Sequence, residues 1–253
     1  MAPAPSPGAP SGPRALHARS PPLLTSAAAR ALRHRMLLMR QSAIGRLAAL
    51  TGVGEGEIWK FHQELSSSDL PEVLLQRGAH APFTREFPQG ALLYLLVRAL
   101  RPQRVVETGV RPGYSTAWIL SALSANRAGE LVSLGPGSPQ GRIRGLSEYP
   151  VGQLVPPALR SRWTLVLGNT EDRLEGILDA APVDLFFYDN GTDAARARFE
   201  LRSAWAALSP DGILLAHRVD ASPAWGEFCR GQNLAPQILD PGPPPLGALA
   251  MRR

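Results

Sequence analysis

Residues Arg104 to Ile119, RVVETGVRPGYSTAWI, read as a strand, a glycine turn and the start of a helix. Val105 and Val106 are β-branched and follow Pro102. Glu107-Thr108-Gly109 then interrupts the run, and Ala117, Trp118, Ile119 and Leu120 continue with helical character from Ser115 onward. Gly109 and Gly113 lie in the turn, with Ser115 and Thr116 at the expected helix start, where free backbone N–H groups and hydroxyls can hold the polar end of a ligand. Glu107, at the strand end, offers an acid to a ligand's ammonium or hydroxyl groups. The spacing Glu-x-Gly-x-x-x-Gly is not the G-x-G-x-x-G of a dinucleotide-binding turn, which disfavours a pyrophosphate ligand. Two glycines after a strand can also do no more than close a tight βα turn, so the neighbouring segments must decide.

Those segments repeat the alternation. Before the turn, Phe87-Pro88-Gln89-Gly90 opens a dense apolar helix, Ala91 to Leu100, which Pro102 ends. After it come strands at Leu131–Leu134, Trp163–Leu167, Val183–Tyr188 and Gly212–Ala216, with helices following Thr170 and spanning Ala194 to Leu208. A short helix is expected at Pro156–Arg160. The strands are short continuous apolar runs. Polar residues gather at their carboxyl ends: Gly135, Gly168-Asn169-Thr170, Asp189-Asn190-Gly191 and His217, the last just past its strand. This pattern predicts an α/β protein: a doubly wound, Rossmann-like, mostly parallel sheet with helices on both faces, binding ligand beyond the strand ends. A late antiparallel hairpin is expected around Gln237–Leu239 and Ala248–Met251. Arg142 to Gly152 reads as an irregular polar loop at the mouth of the site.

Three segments follow from composition: a Pro/Ala-rich disordered tail over residues 1–24, a helical extension over 25–86 and the Rossmann-like domain over 87–253. In the extension, a helix is expected from Ser26 through Leu50 and a second from near Gly56, carrying Ile58, Trp59 and Phe61. They are expected to pack on the core domain or to pair two chains as a homodimer, the alternative being a lid over the substrate.

Charge argues against nucleic acid. The formal net charge is +6, yet residues 1–54 hold seven arginines and no acid. Taking those from the 27 basic residues leaves 20 against 21 acidic ones in the rest. No apolar run is long enough for a membrane span, ALLYLLVRAL from Ala91 being interrupted by Arg98. The single cysteine, Cys229, excludes an internal disulfide and a cysteine zinc cluster, fits a cytoplasmic protein, and reads as a buried apolar residue.

The order of motifs resembles the class I S-adenosylmethionine-dependent methyltransferases, and most closely their small-molecule branch with a G-x-x-x-G-x-S-T turn, the cephalosporin-hydroxylase-like group included. The matching text is VVETGVRPGYSTAWIL, GELVSLGPG, RWTLVLGNTEDRL, PVDLFFYDNG and FELRSAWAALSPDGILLAHRVD, roughly Phe87 to Phe228. The resemblance implies S-adenosylmethionine as cofactor, with Glu107, Gly109 and Gly113 with Ser115, in the turn that includes Thr108, cradling its methionine part. Asn169 and Thr170 would lie at the adenine, and Asp189 would face the transferred methyl. Arg111 could meet the cofactor carboxylate, and Tyr114 is the aromatic expected to touch ligand.

The family usually has an acid for the ribose hydroxyls where this chain has Gly135, a loss of about 1–3 kcal/mol, and Asn169 stands where an aspartate is common. Metal-dependent relatives gather carboxylates around Asp189 and His217; here one carboxylate and one histidine leave too few oxygen ligands, so no required metal is expected. Methyl transfer needs a positioned nucleophile and a base, for which His217 is the candidate, with Asp189 orienting it or the substrate. The activity expected is transfer to a small-molecule oxygen or nitrogen nucleophile. The alternatives are a catalytically weakened or non-catalytic binding protein of the same fold, and a nucleotide-dependent transferase.

Overall fold

The computed structural model describes residues 34, 41–78, 89–136, 142–143, 146–191, 193–242 and 244–251 of the 253-residue chain. The tail of residues 1–24 and most of the stretch from Ser26 to Arg40 lie outside the described residues.

Strand β1 (Arg104–Thr108) is an interior strand, third in a seven-stranded sheet. It pairs in parallel with β2 (Glu130–Gly135) on one side and with β6 (Val183–Tyr188) on the other. The sheet continues outward to β5 (Trp163–Leu167) beyond β2, and to β7 (Leu208–His217) beyond β6. β9 (Leu246–Ala250) then runs antiparallel to β7, and β8 (Gln237–Asp240) antiparallel to β9. The order β5-β2-β1-β6-β7-β9-β8 reverses direction between β1 and β6, so the crevice of a doubly wound sheet opens there, at the end of the quoted stretch.

Helices cover both faces. α4 (Gly90–Leu100) and α5 (Tyr114–Asn126) lie on one, in a cluster with Val105, Leu131, Leu185 and Leu215. α6 (Thr170–Leu178), α7 (Ala194–Ala207) and α8 (Ala224–Gly231) lie on the other, in a cluster with Val106, Leu134, Phe186 and Leu214. Successive strand residues belong to opposite clusters, as the two-residue repeat of a strand requires, and β1 is buried along its whole length. The α4–α5 contact is close because position 90 is glycine: a Cβ there would come within 2.3 Å of the Trp118 indole.

The extension contributes α1 (Gln41–Thr51), α2 (Glu55–Ser67) and α3 (Leu70–Gly78). Ile44, Leu47, Ile58, Leu65 and Leu74 are fully buried and join the same cluster as α4 and α5. Polar contacts lock the arrangement. Arg98, interrupting the apolar run of α4, meets Glu64 Oε2 at 2.7 Å, donates to Asn126 Oδ1 and stacks over the Phe61 ring at 4.5 Å. The Tyr94 hydroxyl donates to Glu64 Oε1 at 2.6 Å, and Arg46 Nε to the Leu239 carbonyl at 2.8 Å.

Two expectations change, and one helix is new. Arg142 to Gly152 is not an irregular loop throughout: β3 (Arg142–Ile143) and β4 (Leu146–Pro150) form a small antiparallel sheet before the turn at Gly152. β7 begins at Leu208 rather than Gly212, with Asp211 at φ 64°, and it ends on His217 instead of before it. The short helix expected at Pro156–Arg160 is present as a 3-10 helix, Pro157–Arg162. α3 has no counterpart in the sequence reading. The late hairpin and the four helices α4, α5, α6 and α7 stand where they were expected, to within a residue or two at their ends.

Candidate active site

At the carboxyl end of β1 the chain turns through Gly109 and Gly113, at φ 86° and 91°, in the left-handed region glycine alone enters freely. The turn is packed tightly. A Cβ on Gly109 would lie 2.1 Å from the Asp189 carbonyl oxygen, and one on Gly113 would lie 2.8 Å from Val155. The first turn of α5 follows at once, and Gly113 is its N-cap.

Glu107 points to the face carrying α5 and is fully buried. Its register partner on β2 is Ser133, which places that hydroxyl on the same face. Three hydroxyls therefore donate to one carboxylate: Ser115 Oγ to Oε1 at 2.5 Å, Thr116 Oγ1 to Oε2 at 2.8 Å and Ser133 Oγ to Oε2 at 2.7 Å. Trp163 Nε1 extends the chain by donating to Ser133 Oγ at 2.9 Å. Burial pushes the Glu107 carboxyl up to about 6, against those three hydroxyl donors. Glu107 thus fixes the helix start from inside, where the sequence reading had its carboxylate face the ligand. Ser115, 8 % exposed, sits at the boundary between this network and the crevice.

Asp189 follows β6, and its side chain is 11 % exposed. Its Oδ1 meets His217 Nδ1 at 2.7 Å, and Arg111 Nη2 approaches the same oxygen at 3.6 Å. The structure thus brings Asp189, His217 and Arg111 together beside the turn. His217 itself is 2 % exposed, so Asp189 is the member of the pair nearer solvent. Tyr114 is buried, with its ring edge-on to Trp118 at 6.2 Å, and burial raises its hydroxyl above the ordinary range. It packs the core beneath the turn.

Gly135 ends β2. A Cβ there would meet Val151 at 3.0 Å, Val110 at 3.1 Å and Leu167 at 3.3 Å, so apolar side chains line the place where an acid was missed. Leu167, 39 % exposed, is the exposed large hydrophobic residue among those described. Asn169 is exposed and donates to Asp172 Oδ2 at 3.3 Å, and Thr170 is buried at the start of α6.

Sequence reading missed Glu200 on α7, which is fully buried. Asn190 Nδ2 donates to Glu200 Oε1 at 2.5 Å and to Thr170 Oγ1 at 3.0 Å. Burial pushes the Glu200 carboxyl up to about 6. The helical spacing Ala197, Glu200, Leu201, Ala204 placed it on the apolar stripe of α7, and that was the available signal.

Cys229 is buried, and desolvation pushes its thiol up to about 11, as suits a packing residue. A cleft of about 690 Å³ lies at the amino ends of β6 and β7, between Leu178, Asp179, Ser203 and Pro210. It is at the opposite end of the strands from the polar cluster. Among the described residues no group of three or more His, Cys, Asp or Glu side chains could hold a metal ion. No helix of the described residues is long and apolar enough to cross a membrane.

Comparison with known proteins agrees with this geometry. A protein family described as a methyltransferase domain matches residues 106–219. No curated protein matches the chain. Among solved structures, a putative caffeoyl-CoA O-methyltransferase from Staphylococcus aureus is 14% identical, with 78% of this chain and 98% of that one covered and a TM-score of 0.56. The SAH-bound methyltransferase PaMTH1 of Podospora anserina is 18% identical over 74% and 88%, with a TM-score of 0.54. An O-methyltransferase from Bacillus cereus in complex with SAH is 20% identical over 74% and 91%, with a TM-score of 0.51. At such identities the structures speak for the fold, and the family match speaks for the stretch it covers. Residues 106–219, fewer than half of the 253, are similar to the methyltransferase-domain family, and the chain shares the fold of the structures above.

Proposed function

We propose that the chain takes a methyl group from S-adenosylmethionine and passes it to an oxygen or nitrogen atom of a small molecule, without a metal ion and in the cytoplasm. The observation that carries this reading is the turn after β1, with two left-handed glycines and a helix start whose hydroxyls are held by a buried acid. The family match over residues 106–219 supports it, and the O-methyltransferases among the similar structures favour oxygen as the acceptor atom.

The residues fit the cofactor best at its methionine end. The N–H groups of Ser115 and Thr116, in the first turn of α5, have no partner within the helix and suit a carboxylate, to which Arg111 adds charge. Ser115 Oγ gives its proton to Glu107 and keeps lone pairs for an ammonium, so Glu107 acts through Ser115. Asn169, Thr170 and Asn190 line the side expected for adenine. At Gly135 the chain offers apolar contact in place of a carboxylate.

The cofactor supplies an electrophilic methyl on a good leaving group, so the protein has to hold the nucleophile in line and take its proton. Asp189, the more exposed partner, accepts from the nucleophile's O–H or N–H, and His217 behind it holds Asp189 in place and shares the proton. One carboxylate and one imidazole do not make the oxygen-rich shell of a hard divalent cation. If two chains also pair through the N-terminal helices, they use the outer faces, since Ile44, Leu47, Ile58 and Leu65 face the core.

Isothermal titration of the full chain with S-adenosylhomocysteine tests the reading. Micromolar to sub-millimolar binding at one site is expected, and no heat at millimolar ligand would overturn it.

A further inference from the structure

Two buried acids flank the end of β1, and the reading above uses only Glu107. Glu200 stands on the other face, where the two-residue repeat of the strand also sends Thr108. It is fully buried, and its Oε2, like Thr108 Oγ1, completes no hydrogen bond among the described residues. Its Oε1 accepts from Asn190 Nδ2 at 2.5 Å. The second hydrogen of that amide goes to Thr170 Oγ1 at 3.0 Å.

A carboxylate can only accept, so Glu200 decides which way the Asn190 amide is turned. Both N–H groups face inward, and the carbonyl oxygen is the atom left for a partner outside the protein. Asn190 is half-buried, and its Oδ1 meets no donor among the described residues. Through Thr170 this oxygen belongs to the β5–α6 turn, on the side expected for the nucleobase.

We propose that Glu200 is a positioning residue that fixes Asn190 as a hydrogen-bond acceptor, so that the site takes a nucleoside whose base presents an amine, adenine, and rejects its 6-oxo counterpart. The inference rests on the S-adenosylmethionine reading, and it adds the group by which this chain selects the base. Glu200 touches no ligand; it acts by removing the other orientation of the Asn190 amide.

The experiment compares S-adenosylhomocysteine with S-inosylhomocysteine, in which oxygen replaces the amine, by isothermal titration on the intact chain and on Glu200→Gln and Asn190→Ala. The wild type is expected to prefer the amine by about tenfold or more. In Glu200→Gln the new amide can donate to Asn190 Oδ1 and let Asn190 turn, so the preference should fall below about threefold. Asn190→Ala, at a more exposed position, should lose the preference as well, which keeps the test sound if Glu200→Gln folds poorly. A wild type that binds both ligands equally, or a Glu200→Gln chain that keeps the full preference, overturns the proposal. A wild type that binds neither ligand overturns the cofactor reading itself.

Discussion

Replacing Glu107 by Gln should change how the protein's stability depends on pH, by an amount that follows from the burial of that carboxyl. Burial raises the group from its ordinary 4.5 to about 6, with the Asp189 charge adding to the rise and the hydroxyls of Ser115, Ser133 and Thr116 opposing it. The folded state therefore binds this proton more tightly than the unfolded state does. The stability it contributes is complete below pH 4.5 and is lost as pH climbs through about 6. At about 1.36 kcal/mol for each pH unit, the interval corresponds to about 2 kcal/mol.

Gln has nearly the same shape, keeps one oxygen for two hydroxyls and does not titrate. Urea unfolding of both chains from pH 4 to pH 8, with the difference taken at each pH, cancels the other groups. The wild type's stability relative to Glu107→Gln should fall by about 2 kcal/mol between pH 4 and pH 7. Two parallel profiles would refute the reasoning, because they would mean that Glu107 ionises in the folded protein as easily as in the unfolded chain.

Gly109→Ala puts a methyl group 2.1 Å from the Asp189 carbonyl at a φ of 86°, and should cost more than about 2 kcal/mol in urea unfolding and weaken S-adenosylhomocysteine binding at least tenfold by titration. Arg98→Met keeps the volume of a buried side chain but removes its contacts with Glu64 and Asn126. The loss should be about 1–3 kcal/mol, modest because Glu64 is partly exposed, with faster amide exchange in α2 than in β1. Gly135→Asp combined with Leu167→Ala supplies an acid and makes room for it; it should tighten S-adenosylhomocysteine about tenfold by titration, while Leu167→Ala alone should not.

The legible parts of the fold were those whose signal is local. Val183–Tyr188 and Trp163–Leu167 are apolar runs bounded by turn residues, and the Pro-Asp-Gly before Ile213 marks a strand entrance, although β7 reaches back across it to Leu208. The β3–β4 hairpin was not legible, because Arg142 to Pro150 shows no apolar alternation and includes Gly145 and Pro150. The residues of the site were legible as positions more than as orientations. Glu107 was recognised, but its inward turn depends on Ser133, a residue brought alongside by strand pairing and distant in sequence. Asp189 and His217 were named together, and only the parallel pairing of β6 with β7 shows that they touch and that the histidine is the more deeply buried. Glu200 stands on the apolar stripe of α7, and its burial is decided by the packing of that helix against α6, β6 and β7.

These orientations also decide what charge the crevice can receive. Glu107 and Glu200 lie on opposite faces at the end of β1, and Asp189 lies beside the turn, so carboxyls surround the switch point of the sheet. Hydroxyls and an amide donate to Glu107 and Glu200, while Asp189 meets the His217 imidazole and is approached by the Arg111 guanidinium. Apart from the Ser115 and Thr116 N–H groups and Arg111, which suit one carboxylate, the groups left toward the crevice are acceptors: Ser115 Oγ, Asn190 Oδ1 and the Asp189 carboxylate. Such a surface repels a pyrophosphate and attracts a sulfonium and an ammonium. The ligand class thus follows from where the buried acids send their donors, and the glycine spacing alone does not determine it. NAD at millimolar concentration should fail to displace S-adenosylhomocysteine in a competition titration, and displacement would show that the crevice accepts a pyrophosphate despite its acceptors.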